Sequence, residues 1–106
     1  MIRHIALTKL RADVTKAEID SMFAKLADLQ YRIPGIRDFD GGVSVSPEGP
    51  EQGFRHGFSI DFGDMAVHDA FLEHPEHKAL GDQLAALLDG DLARLMVCNL
   101  IIDTYE

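Results

Sequence analysis

Apolar residues repeat along this chain with two different periods, and the order of those periods limits the fold more than any other feature. Between 54 and 62 every second residue is Phe, His or Ile, which is the alternation of a strand with one buried face. Between 19 and 33 the apolar residues are three and four positions apart, which is typical of an amphipathic helix. The sequence therefore predicts a fold in which strands and helices share one core.

The first strand and the first helix are marked by their ends. Alternation from Ile2 to Leu10 predicts a strand with apolar groups on both faces. Thr15 and Glu18 have the spacing of a capping box, in which a hydroxyl and a carboxylate satisfy the free amides of a first helical turn. We expect a helix to begin there and to end at Pro34-Gly35.

Two strands and an exposed loop follow. Residues 36–45 predict a weaker strand, with a bulge or a close backbone approach at Gly41-Gly42. The run 46–53 is rich in Pro, Gly and polar residues, so it predicts a surface loop. The strand after this loop ends at Phe62.

A broken helix and a final strand complete the chain. Asp64 is a candidate N-cap for a helix that stops before Pro75, and a second helical run extends from about 77 to 88. The last strand, 95–102, is apolar on both faces, so we expect both of its faces to be buried.

This order is βαββαβ, the split βαβ pattern of a ferredoxin-like α+β fold, in which the helices cover one face of an antiparallel sheet. The other face would lie in water, although Ile5, Leu7 and one side of the last strand are apolar there. A second copy of the sheet could cover it. The pattern therefore predicts a homodimer with two sheets face to face.

Composition narrows the class of protein. The chain has 106 residues, 46% hydrophobic and 26% charged, which fits one domain, 1–106, whose core needs neither disulfides nor a structural metal. No apolar stretch approaches the roughly 20 residues of a membrane span, and the formal charge of −8 disfavours nucleic acid and anionic lipid. Cys98 is the single cysteine and no leader precedes the first strand, so we expect a cytoplasmic protein.

Histidine is the chemical signal in this sequence, with five in a small domain. His4 and His56 lie on predicted strand faces, and His77 ends the segment His74-Pro75-Glu76-His77. A half-buried imidazole can move protons at neutral pH, although each of these side chains can equally be a helix cap or a carbonyl partner.

Other site chemistries are disfavoured. A metal could use His74 and His77, but Pro75 interrupts the helix that would aim both rings alike, so we expect no metal and no cofactor. Cys98 lies in the last strand and is expected to be a core hydrophobe. No nucleophile elbow and no phosphate-binding loop is present in the sequence.

Four segments in order resemble the stress-responsive dimeric α/β-barrel (Dabb) family. They are Ile2-Arg3-His4-Ile5 with Lys9-Leu10, Ser46-Pro47-Glu48, Gly53-Phe54-Arg55-His56-Gly57 to Asp61-Phe62, and His74-Pro75-Glu76-His77. The resemblance implies a ferredoxin-like fold whose two sheets meet as a dimeric barrel. Family members include stress-responsive proteins and polyketide cyclases.

For the cyclase members, the resemblance implies that His77 is the acid/base and that His4 and His56 are polar pocket positions. Those cyclases have a tyrosine where this chain has Phe71, so one of the two catalytic partners of an aldol-type cyclisation is absent. The expected pocket is apolar and small, and its other residues are Ala6, Thr8, Met22, Leu26 and Phe58.

Two functions remain open at this stage. In one, the pocket binds a small apolar metabolite and His77 abstracts a proton next to a carbonyl. In the other, the protein is a stress-associated binder or assembly without catalysis. An open cavity that reaches His77 would favour the enzyme, whereas a cavity filled by Phe58, Phe71 and Leu88 would favour the structural role.

Overall fold

A computed structural model describes residues 1–45, 53–90 and 94–102. Its elements are β1 (Ile2–Thr8), α1 (Lys16–Asp28), a short 3₁₀ turn (Leu29–Tyr31), β2 (Ile36–Val43), β3 (His56–Phe62), α2 (Met65–Glu73), α3 (Pro75–Leu87) and β4 (Leu95–Ile101). The four strands form one antiparallel sheet in the order β2-β3-β1-β4. The predicted ferredoxin-like α+β fold is confirmed.

Side chains at the helix starts explain where α1 and α2 begin. The Thr15 hydroxyl accepts from the Glu18 amide at 3.2 Å, and the Glu18 carboxylate accepts from the Thr15 amide, so the capping box is confirmed. The Asp64 carboxylate accepts from the Val67 amide at 3.0 Å, as its position in the sequence predicted.

The start of α3 differs from the prediction. We expected the second helical run to begin at about 77, but Pro75 is the first residue of α3 and His74 is its N-cap. The Nδ1 atom of His74 accepts from the amide of Glu76 at 3.1 Å. A proline at the first helical position has no amide to leave unsatisfied and its fixed φ suits the helix, which is why the helix restarts immediately.

The turn before β2 requires a glycine. Gly35 has a φ of 94°, and a Cβ placed on it would lie 2.6 Å from the Cγ2 atom of Val67 on α2. The Gly35 carbonyl accepts from the Gly63 amide at 3.0 Å, which ties this turn to the end of β3. The helical region that we expected to end at Pro34-Gly35 ends earlier, at Tyr31, and the Gly35 turn connects it to β2.

The strand irregularity lies at a different place from the one we expected. The pairing of β2 with β3 shifts between Ile36 and Asp38, whereas Gly41 and Gly42 pair in regular register with Phe58 and Gly57. The bulge prediction at Gly41-Gly42 is therefore wrong. A Cβ on Gly41 would lie 3.1 Å from the ring of Phe23, so close packing of that ring accounts for Gly41.

The core lies between the sheet and the helices. Phe62, Phe71, Leu29 and Ile60 are the largest fully buried apolar side chains, and they come from β3, α2 and the 3₁₀ turn. Alternate residues of β1 and β3 face this layer, because successive side chains of a strand point to opposite faces. Burial of this layer in apolar surroundings is the main stabilising contribution to the fold.

The last strand is exposed in the single chain, contrary to the prediction that both faces are buried. Strand β4 is at the sheet edge beside β1, and Met96, Val97 and Ile101 are 54%, 46% and 74% exposed. Cys98, expected in the core, is also exposed. The apolar pattern is real, but an edge strand has no neighbour on one side and the helices do not cover its outer face.

The outer face of the sheet carries an apolar patch. In register, Ile5 pairs with Cys98 and Leu7 with Met96, so these side chains lie on one surface opposite the helices. At one end of the patch, Arg3 forms an ion pair with Asp61 at 2.9 Å. No helix among the described residues is long and apolar enough to cross a membrane.

Candidate functional site

A cavity of about 830 Å³ lies between the helix-facing side of the sheet and α3. Strands β1, β3 and β4 supply one wall, and α3 with the end of α2 supplies the other. Its lining is mainly apolar, and the residues on it include His4, Ala6, Leu26, Phe58, Ile60, Phe71, His77, Leu80, Leu84, Leu88, Leu95 and Val97. Phe58, Phe71 and Leu88 line the space and leave it open.

Six of the nine residues predicted for the site line this cavity. They are His4, Ala6, Leu26, Phe58, Phe71 and His77. Thr8 is only 1% exposed, and its hydroxyl donates to the carbonyl of His56 at 3.0 Å. Met22 is buried on α1 in the core, and it lines a groove between α1 and α3 instead of the cavity.

His56 is the third residue that the structure places away from the cavity. It pairs with Thr8, whereas His4 pairs with Ile60, so the two histidines are four residues apart along β1, about 13 Å at the rise of a strand. Burial lowers the pKa of His56, with a smaller contribution from Arg55. The antiparallel register explains why two histidines on the same face of the sheet do not meet.

His77 is oriented by the backbone of α2. Its Nδ1 atom lies 3.2 Å from the carbonyl oxygen of Leu72, and a carbonyl can only accept, so Nδ1 carries the proton. The Nε2 atom of the neutral ring then holds a free lone pair. Burial lowers the pKa of His77; the Leu72 hydrogen bond opposes this, and nearby His68 and Lys78 add to it. A neutral imidazole with a fixed tautomer is the arrangement that a general base needs.

His4 is held by a residue of the neighbouring strand. Its Nδ1 atom lies 2.7 Å from the Oδ1 atom of Asn99 on β4, and the side chain of His4 is buried. Burial lowers the pKa of His4, and the hydrogen bond to Asn99 offsets part of that effect. Asn99 was not predicted as a site residue, although its position as the one amide in an apolar strand was a visible signal.

A cluster of rings surrounds the two cavity histidines. The ring of Phe71 lies 4.4 Å from that of His77 and 6.3 Å from that of His4, and the ring of His68 lies 6.0 Å from that of His4. His68 on α2 is 4% exposed, and its Nδ1 lies 3.2 Å from a carboxylate oxygen of Asp69. Its Nε2 atom is buried without a hydrogen-bond partner among the described residues.

Two charged residues of α3 also line the cavity. Lys78 follows His77 directly, and Asp82 lies one turn later. The Nζ atom of Lys78 lies 3.5 Å from the Oε2 atom of Glu73, and both side chains are largely exposed. The charge of Lys78 is therefore directed toward solvent. Neither residue lies three or four positions from His77, so helical spacing gave no signal for them.

The histidine pair considered for metal binding is used in other contacts. The Nδ1 atom of His74 accepts a hydrogen bond from the Glu76 amide, and the Nδ1 atom of His77 contacts the Leu72 carbonyl oxygen. Within the described parts of the chain, no group of three His, Cys, Asp or Glu side chains has the geometry to hold a metal ion. The segment Ser46-Pro47-Glu48, part of the family resemblance, lies outside the described residues.

The fold and the cavity define a ferredoxin-like domain with an oriented histidine in an apolar space. The chain belongs to the family of the stress responsive A/B barrel domain, Dabb, whose profile matches residues 2–98. It is similar to olivetolic acid cyclase of Cannabis sativa, with 25% identity over 81 residues, which cover 76% of this chain and 80% of the cyclase.

Two further similarities agree with this membership. A stress-response A/B barrel domain-containing protein of Arabidopsis thaliana is 27% identical over 88 residues, which cover 82% of this chain and 77% of that protein. The crystal structure of a dimeric ferredoxin-like protein of unknown function from Jannaschia sp. superposes with a TM-score of 0.85 and 25% identity, covering 95% of this chain and 98% of the other.

Proposed function

We propose that this protein binds a small, largely apolar carbonyl compound in the cavity and catalyses proton transfer next to its carbonyl, with His77 as the base and no cofactor. The observation that carries the proposal is the contact between Nδ1 of His77 and the Leu72 carbonyl, which leaves the Nε2 lone pair on a residue that lines the cavity. A carbon acid of the β-diketone type suits this site, because its proton is acidic enough for an imidazole.

His77 alone can take up the proton and return it. Nε2 takes a proton from the carbon between two carbonyl groups, which leaves an enolate and an imidazolium. The enolate then takes a proton back at oxygen or at carbon, and the ring is neutral again. Burial lowers the pKa of His77, so the imidazolium is a stronger acid than in water and returns the proton readily.

The enolate oxygen gains stability from a hydrogen-bond donor, and Phe71 has none. His4 is the other histidine on the cavity wall. In the structure the Oδ1 atom of Asn99 accepts from Nδ1 of His4, so the neutral His4 ring has its proton on Nδ1 and a lone pair on Nε2. Neither Phe71 nor the neutral ring of His4 therefore offers a donor to the enolate oxygen, and a hydroxyl at position 71 would add one.

Similarity to olivetolic acid cyclase supports a cyclase-type reaction within this class. A polyketide cyclisation begins with removal of a proton between two carbonyl groups, which is the step assigned here to His77. The apolar remainder of the cavity, lined by Leu26, Leu84, Leu88 and Val97, suits the hydrocarbon part of such a compound.

The second candidate function is binding without catalysis. It is favoured by Phe71, because the ring packs 4.4 Å from His77 and provides no hydroxyl at that place. In this case the cavity holds a metabolite that the protein stores or senses, in accordance with the stress-response relative from Arabidopsis thaliana.

The assembly that we propose is a homodimer through the outer face of the sheet, in the cytoplasm. Leu7, Met96 and Leu100 are 38%, 54% and 41% exposed on that face, which would be unfavourable in a single chain in water. The similar protein from Jannaschia sp. is dimeric, which supports this assembly.

The test of catalysis is exchange of the acidic protons of a β-diketone with deuterated water, followed by NMR. We expect the protein to accelerate exchange over buffer, and His77→Ala to reduce that acceleration by about 10²-fold or more. His74→Asn is the matched control, because Asn retains the N-cap and His74 does not line the cavity. Equal acceleration by His77→Ala would refute the role of His77, and binding without acceleration by the wild type would favour the second function.

A further inference from the structure

Gly81 lies near the middle of α3, and nothing within the described structure explains a glycine there. Its φ is not positive, so the backbone does not require it. A Cβ built on it would have no heavy atom of the described residues within 4 Å, so packing does not require it either. Glycine in a helix interior is less favourable than alanine, because more backbone freedom is lost on folding.

Gly81 is exposed, and the open space over it adjoins the cavity. Gly81 is one of its lining residues, and His77, Ala85 and Leu88 line it from the same side of α3. From His77 to Gly81, Ala85 and Leu88 the steps are four, four and three positions, so these residues form one stripe along the helix. Leu95 and Val97 of β4 form the facing wall.

A ligand that reacts at His77 would extend along this stripe. Gly81 is one turn from His77, about 6 Å along the helix axis, and Leu88 is about 16 Å from His77. A short compound at the histidine end does not reach Gly81. A longer hydrocarbon chain would lie over the backbone of Gly81, in the space that a side chain would otherwise fill.

We propose that Gly81 is the residue that determines how long a chain the cavity accepts, so that the ligands of this protein carry an unbranched apolar chain that lies on α3 beyond the reacting carbonyl. This inference rests on the proposed function, because it places the reacting group at His77. It adds a specificity residue and the direction of the bound chain.

The test uses a homologous series of straight-chain β-diketones, from a pentane to a dodecane skeleton, with binding measured by calorimetry. We expect Gly81→Ala to weaken the dodecane compound about fourfold, the equivalent of one methylene, and Gly81→Leu to weaken it by about tenfold or more. Binding of the pentane compound should change by less than about twofold in both variants. The matched control is Ala86→Leu, which adds bulk on the side of α3 that faces α1.

Thermal unfolding of the protein without ligand gives an independent measurement. Because the space over Gly81 is open, Gly81→Ala should raise the melting temperature by about 4 °C. A lower melting temperature would mean that the chain itself uses this space, and it would overturn the inference.

The binding results separate this inference from the proposed function. Suppose that the wild type binds diketones and that Gly81→Leu weakens short and long compounds equally, or weakens none of them. Then only the role of Gly81 is overturned, and the proposed function stands. If the wild type binds no compound of the series, the proposed function fails and the inference fails with it.

Discussion

The rings of His77 and Phe71 lie 4.4 Å apart, centroid to centroid, with their planes inclined by 50°. Both residues line the cavity, so the ring that packs against the proposed base is apolar and offers no proton. This contact desolvates the imidazole, which agrees with burial as the main cause of its lowered pKa. It also places a potential donor position next to the base.

Replacement of Phe71 by tyrosine should increase the proton-transfer rate. The hydroxyl would add a donor for the enolate oxygen, and removal of one such donor in other enzymes costs about 10²-fold or more, so we expect a gain of about tenfold in the deuterium-exchange assay. Phe62→Tyr is the control, because Phe62 is fully buried and does not line the cavity. A decrease in rate for Phe71→Tyr, with the fold intact, would contradict the proposed arrangement.

The stability of the fold should fall on acidification. Burial lowers the pKa of His4, His56 and His77 in the folded state, so below about pH 6.5 the unfolded chain binds more protons than the folded one. Stability is therefore full above that pH and is lost as the pH falls from about 6.5 toward the lower pKa values of the folded state. The free energy of unfolding in urea, measured from neutral pH down to about pH 5.5, checks this sign.

A variant tests whether the cavity histidines cause that loss. In His77→Gln one of the three lowered pKa values is removed, so the dependence of stability on pH should become weaker over the same interval. An unchanged slope would show that His77 titrates alike in the folded and unfolded chain.

Chelators should leave thermal stability unchanged, and added Zn²⁺ should raise it little. The Nδ1 atoms of His74 and His77 contact the Glu76 amide and the Leu72 carbonyl, and no group of three His, Cys, Asp or Glu side chains among the described residues could hold a metal ion. Differential scanning fluorimetry with EDTA and with Zn²⁺ is the measurement. A large, saturable rise with Zn²⁺ that disappears in His77→Ala would contradict this, since a ligand of the folded state stabilises it by mass action.

The sequence predicted the fold well because each element carries its own local signal. The capping box of Thr15 and Glu18, the N-cap Asp64 and the alternation from Phe58 to Phe62 are all satisfied in the structure. The misplaced start of α3 came from treating Pro75 only as a helix breaker, although a proline also suits the first position of a helix.

The site was predicted less completely. Its residues are brought together by the pairing register of the strands and by the packing of helices on the sheet, and neither is visible in the sequence. Met22 has the periodicity of a core residue and is one, but it does not line the cavity, and periodicity alone does not distinguish core residues from cavity residues. His56 shares a face with His4, and only the antiparallel pairing reveals that Thr8 is its neighbour. Gly81 carried no signal, since an exposed helical glycine is informative only when the space around it is known.

A charge on the outer face of the sheet should prevent dimerisation. Leu7 lies in the apolar patch beside Met96, and Leu7→Asp would bury a carboxylate at the interface that we propose. By sedimentation, we expect the wild type near twice 11.7 kDa and the variant at the mass of one chain. Tyr31→Asp is the control, because Tyr31 is an exposed apolar residue on the helical side. A monomeric wild type would contradict the proposed homodimer.

Removal of the imidazole of His68 should stabilise the fold. The Nε2 atom of His68 is buried without a partner among the described residues, and such an atom costs about 1–3 kcal/mol of desolvation. His68→Leu keeps a similar volume and loses one hydrogen bond to Asp69, whose side chain is 66% exposed, so we expect a net gain of about 1 kcal/mol in the free energy of unfolding. Urea unfolding is the measurement. His74→Leu is the matched control, and it should lose about 1 kcal/mol because the N-cap of α3 is removed. A loss of stability in His68→Leu as large as that in His74→Leu would mean that Nε2 of His68 has a partner in solution.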